Sequence, residues 1–362
     1  MMLVGSSLLA AIIFFIIQKR LFIHYQVQTA SAAFIMAMGI LLNEMFDRLE
    51  AFSPVISTAG CFVLTAAWFY IAIAVLSTVR NRKFYRSHME APLNIFAAGT
   101  WIASTSVVLL ALNHRFPLYT KAFEVMQILN WLLLIFYLAA AIFYMKNFRI
   151  NRFYAEAHGI ILLMTVSIQS VVIANSAFFQ AGWIHSIQSV LYLFGTVLYL
   201  IIFALLLNRY IRLKNWTITE DWKNTNCIIH GAVSITGAAG ILSGTITMKS
   251  AAAIWLVAVL LFAAVEIIEC IRAVKRVKKY GWGRGLGVYH VSQWARNFTF
   301  GMFLFFTMKL NGHLDGTLLV IHDLILGVGP WVVGALFLIE CLLFVNQVIE
   351  QYSKTSDKGL SI

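Results

Sequence analysis

Apolar stretches of about 20 residues, the length that crosses about 30 Å of hydrocarbon, recur from one end of this 362-residue chain to the other. In lipid a backbone must satisfy its own hydrogen bonds, so such stretches are helices or strands of a closed barrel. Barrel strands alternate apolar and polar residues, and these stretches do not. The run Ala252-Ala253-Ile254-Trp255-Leu256-Val257-Ala258-Val259-Leu260-Leu261 is apolar on every side. The sequence therefore predicts an all-α integral membrane protein. With 61% hydrophobic and 12% charged residues, the chain lacks the polar surface a water-soluble fold of this size requires.

Ten main spans are expected at about 29–46, 54–78, 93–113, 122–145, 157–179, 182–208, 226–248, 251–274, 288–310 and 317–346. They define a transmembrane domain over 29–346, preceded by a membrane-associated segment (1–28) and followed by a tail (347–362). Leu3 to Ile17 is either an eleventh span or an interfacial helix. A cleaved signal peptide fits poorly, because the basic residues Lys19 and Arg20 follow the apolar run where a signal would place them ahead of it.

The net charge of +12 could suggest nucleic acid, but its distribution argues for topology. Every second connection is basic: Arg80, Arg82, Lys83 and Arg86; Lys146, Arg149 and Arg152; Arg209, Arg212, Lys214 and Lys223. The fourth holds Arg272, Lys275, Arg276, Lys278, Lys279 and Arg284, and Lys19, Arg20, Lys354 and Lys358 fall on the same side. The other side has Arg48, Arg115, Lys121, Lys249 and Lys309, so 21 of the 27 Lys and Arg face one way and 5 the other, with Arg296 left inside a span. This bias places both ends of the ten-span core in the cytoplasm of a plasma-membrane protein. The cysteines, Cys61, Cys227, Cys270 and Cys341, occur singly and read as reduced apolar side chains.

Odd and even spans differ in composition. The third carries Gly99, Thr100, Ser104, Thr105 and Ser106, and the fifth Thr165, Ser167, Gln169, Ser170, Asn175 and Ser176. The seventh has His230, Gly231, Ser234, Thr236, Gly237 and Gly240, and the ninth Gln293, Arg296, Asn297, Thr299 and Gly301. Small and hydroxyl residues serve close helix packing or line a polar path. Their recurrence in alternate spans favours the path for the set. The expected lining is Gly39, Gly99, Ser104, Ser167, Ser170, Ser234, Gly237 and Gly301.

The stretch Trp294-Ala295-Arg296-Asn297-Phe298-Thr299-Phe300-Gly301-Met302, followed by Thr307 and Leu310, resembles the ninth-helix signature of the tellurite-resistance/dicarboxylate transporter family. That family includes the plant slow anion channel and fungal malate and sulfite transporters. Asp221-Trp222-Lys223-Asn224 leading to His230-Gly231-Ala232-Val233-Ser234-Ile235, and Phe34 to Ile40, are similar to its seventh- and first-helix patterns. Thr299 stands where the family commonly has Pro. The resemblance implies five helical hairpins in a quasi-fivefold arrangement, odd helices around a central pore, assembly as a homotrimer, and a pore-plugging Phe on helix nine. Carried onto this chain, that residue is Phe298, with Phe300 the fallback.

Charges buried in spans are functional by default. Arg296 is expected near the cytoplasmic mouth, either paired with Glu266 or Glu269 of span eight or attracting anions directly. Positions 296 and 298 lie about 200° apart on a helix, which argues that they do not face one lumen. A proton relay would draw on carboxylates such as Asp323 beside His322, Glu340 or Glu44, while His158 and His230 are either pH-sensitive or simple helix-start residues. No HExxH, GxSxG, GxxxxGK[ST] or paired CxxC is present, so hydrolase, nucleotide and zinc signals are lacking. Cys227 and His230 make a lone C-x-x-H, a weak metal signal. The reading is therefore a transporter of small inorganic or organic anions across the lipid bilayer, not an enzyme, with no cofactor, metal or nucleic acid. The alternative is a proton-coupled secondary transporter or exporter of C4-dicarboxylate, sulfite or tellurite-like oxyanions.

Overall fold

The computed structural model describes residues 2–21, 27–91, 93–147, 156–179 and 182–359, and among them there is no strand. Eleven longer helices are α1 (Met2–Leu21), α2 (Ala33–Phe52), α3 (Pro54–Arg80), α4 (Gly99–Arg115), α5 (Thr120–Asn147) and α6 (Leu163–Phe178), then α7 (Gly182–Arg212), α8 (Ile228–Leu242), α9 (Met248–Gly285), α10 (Gln293–Lys309) and α11 (Gly316–Gly359). Each expected span is thus helical, span one being α2 and span ten α11. Arg149 and Arg152 lie outside the described residues, as does the side chain of Glu44.

Nine of the described helical segments are long and apolar enough to cross a membrane, α1 among them; α2 and α10 are not in that set. Length accounts for the exception: α10 has 17 residues, and the apolar part of α2 counted over the described residues is Thr29–Asn43. In α4, α6 and α8, with the short turns that lead into them, 83% to 89% of the apolar window is buried. In α3, α5, α7, α9 and α11 the share is 11% to 28%. Helices shielded from lipid are free to carry polar and small residues.

The contacts are regular. Helix α2 packs on α4, α4 on α6, α6 on α8, α8 on α10, and α10 back on α2. Each outer helix lies against the inner helix before it and the next inner helix along, α3 on α2 and α4, α5 on α4 and α6, and so on to α11 on α10 and α2.

Polar side chains tie the layers together. Trp68 Nε1 donates to Thr105 Oγ1 (3.0 Å), Asn130 Nδ2 to Ser106 Oγ (3.0 Å), Gln127 Nε2 to Asn175 Oδ1 (2.9 Å) and Trp255 Nε1 to Thr307 Oγ1 (3.0 Å). In an apolar solvent such bonds hold helices that no hydrophobic force drives together.

Inner helices are short and begin irregularly. One 3-10 turn precedes α2 (Thr29–Ala32), α6 (Gly159–Leu162) and α8 (Asn224–Cys227), and a single helical turn (Asn94–Ala97) precedes α4. Helix α8 stops at Leu242, short of the sequence boundary, because the chain turns through Gly244 at φ +65° and restarts with Thr247 capping α9.

Helix α1 runs parallel to α3. Leu3 and Ser6 share a cavity wall with Pro54, Val55 and Arg115. Ser7 Oγ donates to the Phe62 carbonyl (3.3 Å), and Phe14 packs edge-on to Tyr70. Since α3 ends at Arg80, the start of α1 lies at the end of the bundle away from the basic connections. In a cysteine-free background, Ser6→Cys should react with an impermeant thiol reagent from the same side as Leu118→Cys, and Lys275→Cys from the other. Labelling of Ser6→Cys together with Lys275→Cys would contradict this direction.

Candidate functional site

Two cavities enter the bundle from its two ends between the inner helices. The first, about 510 Å³, opens at the basic end; the second, about 370 Å³, opens at the far end. Their walls follow the helical repeat: Ala33, Met36, Ile40 and Asn43 on α2; Leu163, Val166, Ser170, Ile173 and Ala177 on α6; Ala295, Phe298, Met302, Phe305 and Lys309 on α10. Steps of three and four residues keep one side chain per turn on the same face. Helix α4 contributes Thr100, Val107 and Leu110, and α8 contributes Ile235 and Leu242.

Among the described residues, Phe298 alone borders both cavities. Its side chain is buried. Phe300 borders neither; its ring lies 4.8 Å from that of Phe262 and 6.0 Å from that of His230, toward α8 and α9.

Why α10 presents Phe298 inward follows from what holds its other faces. A methyl added at Gly231 of α8 would lie 2.2 Å from the Thr299 methyl carbon, and one at Gly237 would lie 2.0 Å from the Phe306 ring. Only glycine lets the two helices come so close. Thr307 Oγ1 accepts from Trp255 and donates to the Phe303 carbonyl (2.8 Å). Trp294 Nε1 donates to Tyr289 Oη (2.9 Å), and its ring sits between Phe34 and Phe337. Thr299 leaves the helix unbroken and donates to the Arg296 carbonyl (3.0 Å).

Of the eight residues expected to line a path, Ser170 borders a cavity. Four of the others sit at helix contacts. Gly39 meets Val107, Gly99 meets Ser167 and Tyr137, Gly237 meets Phe306, and Ser167 Oγ donates to the Gly99 and Leu163 carbonyls. Ser104 and Ser234 donate to carbonyls of their own helices, Trp101 and His230, and Gly301 is buried without bordering either cavity. Thr100, Ser106, Ser176, Asn43 and Asn113 are polar points between mainly aliphatic stretches of the wall, and the basic end adds Gln28, Asn94, Asn224, Thr225, Ser292 and Gln293. Sequence reasoning missed this wall because it weighed residue type over the three-four spacing seen on α2, α6 and α10.

The charges are asymmetric. The basic-end cavity is lined by Lys223, Arg272, Arg276 and Arg296 against the single carboxylate of Glu269. The far cavity has Lys309 and His114 and, among its described lining, no carboxylate. Arg296 Nη2 lies 2.9 Å from Glu269 Oε2, and Nε lies 3.9 Å from Glu266 Oε2. Arg296 nevertheless borders the same cavity as Phe298, contrary to the angular argument. The long Arg side chain reaches Glu269 and Glu266 on α9.

Glu269 also accepts from Trp222 Nε1 (2.9 Å) and Arg272 Nη1 (3.1 Å), and Arg272 Nη1 donates to Asn224 Oδ1 (2.6 Å).

The histidines occupy different settings. His230 is fully buried, with Nε2 3.6 Å from Glu266 Oε1. His322 bonds Asp323 Oδ1 (2.9 Å) and the Thr307 carbonyl (3.1 Å) on the outer helix α11, away from both cavities, and Glu340 on α11 borders neither. His158 caps the turn before α6 at the basic end, with Nδ1 near Thr225 Oγ1 (2.7 Å) and accepting from the Ile160 amide. Burial, reinforced by Lys223 and Arg209, pushes its pKa from 6.5 to about 3.

His158 thus stays neutral when folded and binds a proton on unfolding, so it favours the folded state fully above pH 6.5, and this contribution shrinks as pH falls toward about 3. His158→Gln should flatten the acid-side fall of Tm in detergent between those values; an unchanged acid limb would contradict the assignment.

Two carboxyl-poor vestibules meeting at one ring suit an anion path, and the family comparison points the same way. The family model SLAC1, described as voltage-dependent anion channel, matches residues 26–348. No curated protein matches the chain. With most of its length matched, the chain belongs to the SLAC1 family, whose members transport anions across membranes.

Proposed function

We propose that this protein is a passive conduit for small anions, closed in the described state by Phe298. The observation that carries the reading is that the cavities from the two ends both terminate on this ring. In the proposed arrangement, five hairpins stand around a pseudo-fivefold axis and α2, α4, α6, α8 and α10 enclose the path. The cyclic order of their contacts supports it. Residues 29–346 form this unit, placed in the plasma membrane with its basic connections in the cytoplasm; the family resemblance adds assembly as a homotrimer.

The physics of closure is dehydration. An ion entering a neck walled by Phe298, Val166, Met36, Ile235 and Met302 loses water and gains few donors in return, and apolar constrictions of this kind gate by dewetting. Cations face a second penalty, because Lys223, Arg272, Arg276 and Lys309 line the approaches. Weakly hydrated anions pay least.

A passive path is preferred to proton coupling because Asp323 and Glu340 lie on the outer helix α11, and Glu269, the carboxylate on the described walls, is bound by two arginines.

Phe298→Ala, reconstituted in liposomes, should raise nitrate or chloride flux by about tenfold or more, the equivalent of lowering a barrier by roughly 1.4 kcal/mol. The flux should follow the anion gradient without requiring ΔpH. Unchanged flux in correctly folded Phe298→Ala would sink the gate assignment, and flux that demands ΔpH and saturates would favour the coupled carrier.

A further inference from the structure

The conduit reading leaves one arrangement at the mouth unused. Arg296, two residues before Phe298 and bordering the same cavity, is held by a carboxylate of this chain. We propose that Glu269 is a tethered counter-anion that occupies the anion-binding position of the basic-end cavity, so that an entering anion must compete with it for Arg296 and Arg272. This rests on the conduit reading and names the binding site within it.

The geometry is that of a filled carboxylate site. Glu269 Oε2 lies 2.9 Å from Arg296 Nη2 and 3.1 Å from Arg272 Nη1, while Oε1 accepts from the Trp222 indole (2.9 Å). Two guanidinium groups and an indole N–H converge from three segments of chain: α10, α9 and the turn before α8. A small planar oxyanion presents the same acceptors as a carboxylate, and guanidinium donors suit both.

Capacity for a second anion is also present. Arg272 Nε and Arg296 Nε are buried without a hydrogen-bond acceptor. Both arginines border the cavity, and neither is fully enclosed, with side chains 12% and 27% exposed. Glu269 and the more distant Glu266, 3.9 Å from Arg296 Nε, thus leave each guanidinium with a donor that no acceptor meets, and a buried charge is costly until its donors are met. An anion arriving from the basic end meets the exposed parts of these two side chains beside Asn224 and Thr225. Glu269 would lower affinity there, which suits a path that must release what it binds.

The test is equilibrium binding, read as thermal stabilisation of the full chain in detergent by sodium nitrate at constant ionic strength, balanced with gluconate. Glu269→Gln should lower the half-saturating nitrate concentration about tenfold, as expected when one opposing unit charge leaves a partly buried site. Glu269→Asp, which keeps the charge, should restore most of the wild-type value. Glu220→Gln removes the same charge from an exposed residue of the same face, paired with Lys279 outside the cavity, and should leave it unchanged.

A folded Glu269→Gln protein with wild-type half-saturation overturns the proposal. If that variant fails to fold, Glu266→Gln carries the test, since it frees one side of Arg296 while keeping Glu269; about a threefold fall is expected, and no change overturns the proposal. Flux is then measured with Phe298→Ala added. No anion current in Phe298→Ala alone defeats the conduit reading, whereas current that Glu269→Gln leaves identical in anion dependence defeats only the tethered anion.

Discussion

Everything in this molecule depends on the close approach of α8 and α10. At Gly231 and Gly237 the two backbones leave no room for a side chain, and Thr299 and Phe306 fill the space. That contact fixes the rotation of α10, and Trp255, through Thr307, fixes it from the lipid side. Once those faces are committed, Phe298, Met302 and Phe305 have one direction left, into the space between the inner helices. The residues that give the ninth span its family resemblance thus divide between anchoring and facing: Trp294, Thr307 and Leu310 are buried anchors, and Phe298 is what they aim.

The electrostatics follow from position. Charges inside a membrane protein are tolerated where they meet one another or water. Arg296, Glu266, Glu269 and Arg272 meet both conditions, clustering between α9 and α10 beside the basic-end cavity. Along the described lining of that cavity, Lys223, Arg272, Arg276 and Arg296 outnumber the one carboxylate, Glu269. Farther in, the walls turn aliphatic. In the proposed conduit, a basic mouth joined to an aliphatic neck combines sign selection with closure.

Much of the architecture was legible in the sequence. Helical class followed from unbroken apolar runs, and each of the ten stretches placed from them falls on a helix. Nine described segments, α1 included, are long and apolar enough to cross a membrane; the structure adds that α1 runs beside α3 in the same direction. The compositional contrast between odd and even spans marked which helices are shielded from lipid. It misled about the wall itself. Glycine and serine serve both packing and hydration, and Gly39, Gly99, Ser167 and Gly237 are spent on helix contacts. The cavity is lined by residues such as Val166, Ile173 and Met302, which look like ordinary lipid-facing side chains until their three-four spacing is aligned across helices. Choosing Phe298 over Phe300 needed the family resemblance, because both are aromatic and two residues apart. Arg296 borders the same cavity as Phe298, although the two positions lie about 200° apart on the helix, and its long side chain reaches Glu269 and Glu266 of α9.

The central claim is that a single aromatic ring separates two water-accessible compartments. Val166 and Ser170, one turn apart on α6, border different cavities, so the barrier between them is measurable directly. In a cysteine-free background, Val166→Cys should be modified by a small impermeant thiol reagent applied at the basic end, and Ser170→Cys only from the far end. Modification of both from one side, or of neither from any side, would contradict the account.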